Sequence, residues 1–468
     1  MRTRVLVATP AGAATGFTPR HGRRTELTTT PSHTPPTTNP DQQTANCSVP
    51  GSGLVRRLAW VDVAIKREGR LVSSRPLKIL VLDQARGVWG AQRYLLRLAP
   101  LLQELGADLT LAGPRSLELH DAWRQAGFDA VHLDIPTERD IRDQGHRPTV
   151  SGIVREGRGG VRVARMIARV VREGGYDAIW ANAHWVHSDA SLAGRMCRTP
   201  VVLHLHEEAI PGLGRWLRTG AVRVATQSVA VSEAVAAGLP ALVRNRVRVI
   251  PNGVDATAMS PEPADGGDRR HALRASLGVG DDDIMVLAAT RLDPSKRIED
   301  LLTAVRRLGD PRVRLVVAGT TSGYPEYERR VRAEAEALPA GQAHFCGRRD
   351  DMAALFQASD VVMHAGMVEG MPLGLLEAQS CGKPVVAYRV AGVPEAVVHA
   401  STGLLATPGD ADDLGDALGR LVEDPAMRSQ MGTSARAHVL THHLLEAQAA
   451  RNMEVLTEMC AVSRAISV

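Results

Sequence analysis

Apolar residues in this chain fall into short unbroken runs separated by longer stretches in which they recur every three or four residues, an alternation that starts near Leu77. Unbroken runs fit strands buried on both faces, and the three-to-four repeat fits the helices that cover them, so the pattern predicts parallel sheets with helices on either side. KILVLD (78–83) reads as the first strand. Tyr94, Leu95, Leu98, Leu102 and Leu105 then recur at helical spacing, with Gly106 as a stop and Pro100 predicting a kink. Strands DLTLAG, AVHLD, AIWAN, VVLHLH, SVAVS and RVRVIP follow from Asp108, Ala130, Ala178, Val201, Ser228 and Arg246, with helices at Leu117–Gly127, Val161–Glu173 and Ser188–Met196 between them. The stretch from Pro136 to Gly160, charged and rich in glycine, predicts a long mobile loop. After PNGVD, which starts at Pro251, comes the polar stretch SPEPADGGDRR, and the pattern restarts with IMVLAAT at Ile284. It continues through VRLVVAG (from Val313), HFCG (from His344), DVVMHAG (from Asp360) and PVVAYR (from Pro384), with helices that include Pro325–Leu338 and Met352–Ala358. The expected organisation is two doubly wound α/β domains, both Rossmann-like. The first spans 77–258 and the second 271–435, joined by a hinge at 259–270 and followed by a helical segment, 436–468, that packs back on the first. Ligands of open α/β sheets sit beyond the carboxyl ends of the strands, which places the chemistry in a cleft between the domains.

Composition narrows the class. A length of 468 residues exceeds one core, and 44% hydrophobic with 23% charged residues is that of a soluble globular protein. Aromatic content of 3% leaves Leu, Val and Ala to fill the interior. A formal charge of +5, with arginine spread along the chain, disfavours a nucleic-acid binder and leaves attraction to an anionic membrane or a phosphorylated substrate open. Five cysteines without C-x-x-C spacing argue against a disulfide framework or a zinc site and fit a reducing cytoplasm. No apolar run reaches the ~18 residues of a bilayer span, so membrane contact would be peripheral, at the inner face. Residues 1–76 hold TTTPSHTPPTTNP and are expected to be a disordered extension. Their opening, MRTRVLVATPAGAATG, imitates a signal peptide, but its apolar run is short and broken by Thr and Pro; a start site upstream of the true one is the other reading.

The strongest chemical segment is EGMPLGLLE (369–377). Pro372 suits the first turn of a helix and Gly382 its far end, so the backbone N–H groups of Met371 and Leu373 would meet an anion at a helix N-terminus. Glu369 stands before that helix and Glu377 about two turns into it, too far apart for a paired acid and base on one bond. Each instead suits a different hydroxyl-bearing end of one extended ligand, although a capping Glu and a solvated helix Glu would read the same way. In TRLDPSK (290–296), Arg291 and Lys296 emerge at the carboxyl end of a strand, where a diphosphate leaving group needs neutralising. GVWGAQR (87–93) turns from the first strand into the first helix, and Gly87 and Gly90 permit close backbone approach to a ligand. It lacks G-x-G-x-x-G, and Asp108 precedes the second strand where a ribose-binding acid would follow it, which argues against an NAD enzyme. In HLHEE (204–208), His206 lies nearest the strand end, to touch a transferred sugar or to be satisfied structurally. No H-E-x-x-H spacing makes it a metal ligand.

In their order, GVWGAQRYLLRLAPLL, HLHEE, VIPNGVD, TRLDPSK, FCGRRDD, EGMPLGLLEAQSCGKPVVA, AGVPEAV and TGLLATPGD resemble the family 4 glycosyltransferases, retaining enzymes of the GT-B fold. The resemblance covers the chain from about Leu77 onward. It implies that Arg291 and Lys296 hold the donor diphosphate, Glu377 the ribose, and Glu369 with the backbone of Gly370, Met371, Pro372 and Leu373 the sugar and phosphates. His206 would be the active-site histidine, Gly90 the phosphate-approaching glycine, and Arg348 part of the loop beside the base. Departures are Met371 where an aromatic is common, Trp89–Gly90 in place of tandem glycines, and Asn182 where a histidine is frequent; they bear on sugar and acceptor identity.

The expected reaction is transfer from a nucleotide-diphosphate sugar to a glycan, lipid or small-metabolite acceptor with retention, as in polysaccharide biosynthesis, without metal or other cofactor. No carboxylate is forced into the place of a covalent nucleophile, which favours front-face transfer with the leaving diphosphate taking the acceptor proton. A nucleotide-sugar epimerase and a non-catalytic nucleotide-sugar binder share the architecture and stay open.

Overall fold

A computed structural model describes residues 75–467, except 86, 116, 138–149, 210, 262, 264–265 and 322. The Thr/Pro-rich segment and residues 138–149 of the Pro136–Gly160 stretch therefore lie outside the described residues.

Two wholly parallel sheets are formed. The first contains β1 (Leu77–Leu82), β2 (Ala107–Gly113), β3 (Asp129–His132), β4 (Ala178–Ala181), β5 (Val201–Leu205), β6 (Gln227–Ala230) and β7 (Val247–Val249), in the order β3-β2-β1-β4-β5-β6-β7. The second contains β8 (Ile284–Ala289), β9 (Val313–Ala318), β10 (Ala343–Gly347), β11 (Val361–His364), β12 (Val385–Tyr388) and β13 (Gly403–Ala406), in the order β10-β9-β8-β11-β12-β13. In both, the chain winds outward from the first strand, returns across it, and continues the other way. This reversal opens a crevice at the strand ends between β1 and β4 and between β8 and β11.

Burial follows from the unbroken apolar runs. Ile79, Leu80, Val81 and Leu82 are all fully buried, alternate side chains entering the helix layers on opposite faces. The helix Gly90–Glu104 buries Tyr94, Leu95, Leu98 and Leu102. Pro100 lies inside that continuous helix on its exposed side, away from the buried face. The C-terminal helix Leu445–Ser467 packs on the Gly90–Glu104 helix, and its Leu445, Ala449, Leu456 and Met459 join the core under β1. Arg436 ties this crossing, donating to the carbonyls of Ala256, Met259 and Ser380.

Three expectations are corrected. The helix predicted over Val161–Glu173 begins at Val150, so the last part of the supposed loop is helical despite its glycines. Burial of Val163, Ala164, Ile167, Ala168 and Val171 against the sheet outweighs a cost of roughly 0.5–1 kcal/mol for each interior glycine. A helix, Gly267–Ser276, starts inside the polar hinge stretch. The helix of the Glu369 motif runs from Leu373 to Ser380 with Pro372 as its N-cap residue, so Glu377 lies one turn into it instead of two.

Candidate functional site

The site residues follow the ends of strands, except Glu377, which lies within the Leu373–Ser380 helix. Lys296 closes a short 3-10 turn, Pro294–Lys296, after β8; Asp293 caps that turn through Ser295 N–H at 3.0 Å. The Lys296 ammonium reaches Glu369 Oε1 at 2.5 Å, and His364, the last residue of β11, reaches the same oxygen at 2.8 Å. Burial alone would raise the Glu369 carboxyl, but the charge and hydrogen bonds of Lys296 and His364 outweigh it and hold the group at about 2. Glu369 is thus a carboxylate at any physiological pH.

Arg291 pairs with Asp293 at 3.2 Å, and its guanidinium lies over the Trp89 ring, 5.6 Å from the centroid. Trp89 thereby supplies a stacking surface from the opposite domain for a group left 41% exposed toward the cleft. Glu377, 3% exposed, forms an ion pair with Arg97 of the Gly90–Glu104 helix. At the start of the Leu373–Ser380 helix the first N–H groups have no helical partner. Arg348, 52% exposed after β10, bridges to Glu118 at 2.5 Å. Gly90 is exposed at the opening of its helix, and no atom lies within 4 Å of where a side chain would begin.

Where the two halves meet, their backbones touch. A Cβ on Gly370 would stand 1.8 Å from the His206 carbonyl oxygen, and one on Gly392 would stand 1.6 Å from the Gly370 carbonyl oxygen. Only glycine admits these approaches. Asn252, in the turn after β7, donates to the Met371 carbonyl at 2.8 Å, and the Glu395 carboxylate accepts from Glu233 and Ala234 N–H at 2.7 and 2.9 Å. The Glu369 loop is so seated against the His206 strand end.

His206 is oriented by a relay from β1. Asp83, 1% exposed, accepts from Ala85 N–H, Gln92 Nε2 and, at 2.7 Å, Asn182 Nδ2. The Asn182 amide therefore presents its oxygen to His206 Nε2 at 2.9 Å. Nε2 must carry the hydrogen, which leaves Nδ1 of a neutral ring as an acceptor. Burial pushes His206 down to about 4, so the ring is neutral near pH 7.

His187 and His204 are buried beside it, 2% and 1% exposed, and burial lowers both well below the usual imidazole value of 6.5. This predicts acid sensitivity. The unfolded imidazoles take protons as pH falls through about 6.5 and the folded ones do not, so their contribution is complete above that pH. It is lost as pH falls below that value, by about 1.4 kcal/mol per pH unit for each. Denaturant midpoints at pH 7 and pH 5 measure this, and equal stability at the two would contradict neutral burial.

Of the residues expected from sequence, Arg291, Lys296, Glu369, Gly370, Met371, Pro372, Leu373, Glu377 and His206 line the junction of the two domains. Sequence reasoning missed Arg97, Asp83, His364 and Asn252 as participants. Arg97 stands seven residues after Gly90 on the same helix face, a spacing that pointed to the cleft. Asp83 ends a buried strand, where an ionisable side chain is costly unless bonded.

The model of Glycosyltransferase Family 4 matches residues 88–258, and that of Glycosyl transferases group 1 matches 269–438. A D-inositol 3-phosphate glycosyltransferase of Xylanimonas cellulosilytica is 33% identical over 294 residues, 57% of this chain and 68% of the relative. One of Mycobacterium avium is 37% identical over 205 residues, 42% of this chain and 46% of the relative, so the match spans about half of that protein. Among solved structures, Anabaena HepE in complex with UDP and glucose superposes with a TM-score of 0.69 at 24% identity, covering 81% of this chain and 99% of that one. Sucrose-phosphate synthase from Thermosynechococcus elongatus gives 0.66 at 20%, covering 82% and 100%. These likenesses show the fold. With two matched models in the expected order and two sheets facing across one site, the chain belongs to the family 4 glycosyltransferases and has the GT-B fold.

Proposed function

We propose that this protein transfers a glycosyl group from a nucleoside-diphosphate sugar to a hydroxyl acceptor with retention of configuration and without a metal. The observation that supports it most is the convergence of Arg291, Lys296 and the N-terminus of the Leu373–Ser380 helix with two fixed carboxylates, Glu369 and Glu377. The cations and helix end suit a diphosphate, Glu377 a ribose, and Glu369 a sugar hydroxyl. His206, neutral and with Nδ1 as acceptor, takes a hydrogen bond from a sugar or acceptor hydroxyl. The leaving diphosphate, neutralised by Arg291 and Lys296, receives the acceptor proton as the new bond forms on the face it leaves. A uridine nucleotide, the ligand of HepE, and D-inositol 3-phosphate, the acceptor in the relatives' names, are the first pair to test. Work at the cytoplasmic side, where nucleotide sugars are made, is part of the proposal.

The test is proton NMR of the chain incubated with UDP-, GDP- and ADP-glucose, with and without polyol phosphates. The expected result is an α-glycoside product, or slow release of α-glucose before mutarotation. A β-anomer would overturn retention, and conversion of the donor's sugar without an acceptor would select an epimerase. Glu377→Gln should weaken donor binding about 10- to 150-fold with the fold intact, the range of one charge-assisted hydrogen bond. Calorimetry of donor binding measures it, and an unchanged dissociation constant would remove Glu377 from the donor site.

A further inference from the structure

Three helices, Val150–Gly174, His187–Cys197 and Leu213–Val224, lie side by side on one face of the first sheet, their buried positions sharing a core with β1, β4 and β5. Their outward faces make one surface. Along the first helix Arg155, Arg158, Arg162, Arg165, Arg169 and Arg172 follow at alternating steps of three and four, which keeps them on one face, and all six are exposed. Arg169 pairs with Glu173, whereas Arg158, Arg162, Arg165 and Arg172 enter no salt bridge among the described residues. Arg195, Arg198, Arg215 and Arg223 extend the surface across the other two helices and are exposed as well. The acids of these helices are few: Glu156 is half-buried, Asp189 is buried, and Glu173 is taken by Arg169. In a chain of formal charge +5, arginine that looks dispersed in the sequence is gathered here by the fold.

The same layer carries apolar side chains that the fold does not use. Trp216 and Leu242 are each 71% exposed, and Leu192, Met196, Leu217 and Val224 are exposed too. These are six of the twelve exposed large hydrophobics among the described residues, so the clustering is not the ordinary scatter of surface apolar groups. Leu242 belongs to the short Ala241–Arg244 helix, which packs against Leu213–Val224.

We propose that this three-helix layer docks the protein peripherally on an anionic lipid bilayer, arginines at the headgroups and Trp216, Leu217 and Leu242 in the interfacial region. Arginine next to exposed Trp and Leu is the combination that such an interface rewards, by charge and by apolar burial together. Nucleic acid would reward the charge but not the exposed leucines and methionine, and it favours several aromatics for stacking over a lone tryptophan. The layer flanks the strand ends without covering them: the His187–Cys197 helix begins five residues after Asn182, at the edge of the site. Docking leaves the cleft beside the membrane and open.

The test is flotation of the full chain with vesicles of phosphatidylcholine alone and of phosphatidylcholine with phosphatidylglycerol, at low and high salt. Binding to the anionic vesicles only, released by salt, is expected. Replacing Arg158, Arg162 and Arg165 together by Gln should weaken it about 100-fold. The Trp216→Ser, Leu242→Ser pair should weaken it less and leave the salt slope unchanged. Thermal melts of both variants should match the parent, since the altered side chains are exposed. Equal binding to both vesicles, binding to neither, or tighter binding of duplex DNA with the same arginine dependence would each overturn the proposal. Transfer to a soluble acceptor should be unchanged in these variants, so failure here and failure of the transfer reaction read out separately.

Discussion

Lys296→Ala is expected to lower the turnover number by roughly 10² to 10³ while weakening donor binding much less. A diphosphate is already anionic when bound, so Lys296 contributes to affinity, but negative charge grows on it as the glycosidic bond breaks and that increment appears only in turnover. The structure adds a second consequence. Lys296 is also the main partner of the buried Glu369 carboxylate, with which it makes a 2.5 Å contact. Its loss leaves His364 alone to stabilise that charge, so Glu369 should take up protons more readily and the variant should lose stability. Adding Glu369→Gln should restore much of that stability without restoring turnover. Steady-state transfer, donor calorimetry and thermal melts of the single and double variants measure the three quantities. A turnover number at the parent value with affinity reduced as far as catalytic efficiency would make Lys296 a binding residue only.

Gly370→Ala should lower transfer by about 10²-fold or more, through geometry alone. The added methyl group would stand 1.8 Å from the His206 carbonyl oxygen, backbone against backbone, so the two domains must separate. Separation carries Trp89, Arg97 and His206 away from Arg291, Glu377 and Glu369. Diphosphate affinity should fall less, because Arg291, Lys296 and the helix N-terminus all belong to the second domain. Gly220→Ala is the control: nothing lies within 4 Å of its Cβ position, and activity should be near the parent value. Full activity in Gly370→Ala would mean that this close approach is not needed for transfer.

The doubly wound class could be read from the sequence because its signal is local: unbroken runs such as that ending at Leu82 fit only strands covered on both faces. The donor side was readable for a similar reason, since Glu369 to Glu377 is one continuous segment whose Pro, Gly and acid positions constrain each other. What stayed hidden depends on contacts between distant segments. Arg97 meets Glu377 only after two domains close, and Asp83 reaches His206 only through Asn182, ninety-nine residues away from the first of them. Asn182 was noticed as a departure from relatives, but its amide's job, fixing which nitrogen of His206 carries the hydrogen, follows from hydrogen-bond directions that spacing does not encode. The first two arginines of the stripe on the Val150–Gly174 helix, Arg155 and Arg158, were hidden by neighbouring glycines that argued for a loop, whereas Arg162, Arg165, Arg169 and Arg172 lay in the helix expected over Val161–Glu173.

The central claim, that Arg291, Lys296 and the neighbouring helix end form a nucleoside-diphosphate site, is tested most directly by titration calorimetry of UDP, GDP and ADP against their monophosphates. At least one diphosphate should bind about 10-fold or more tighter than its monophosphate, a difference of about 1.4 kcal/mol. That difference should vanish in the Arg291→Ala, Lys296→Ala double variant. Binding of none of the diphosphates, or an undiminished preference in the double variant, would contradict it.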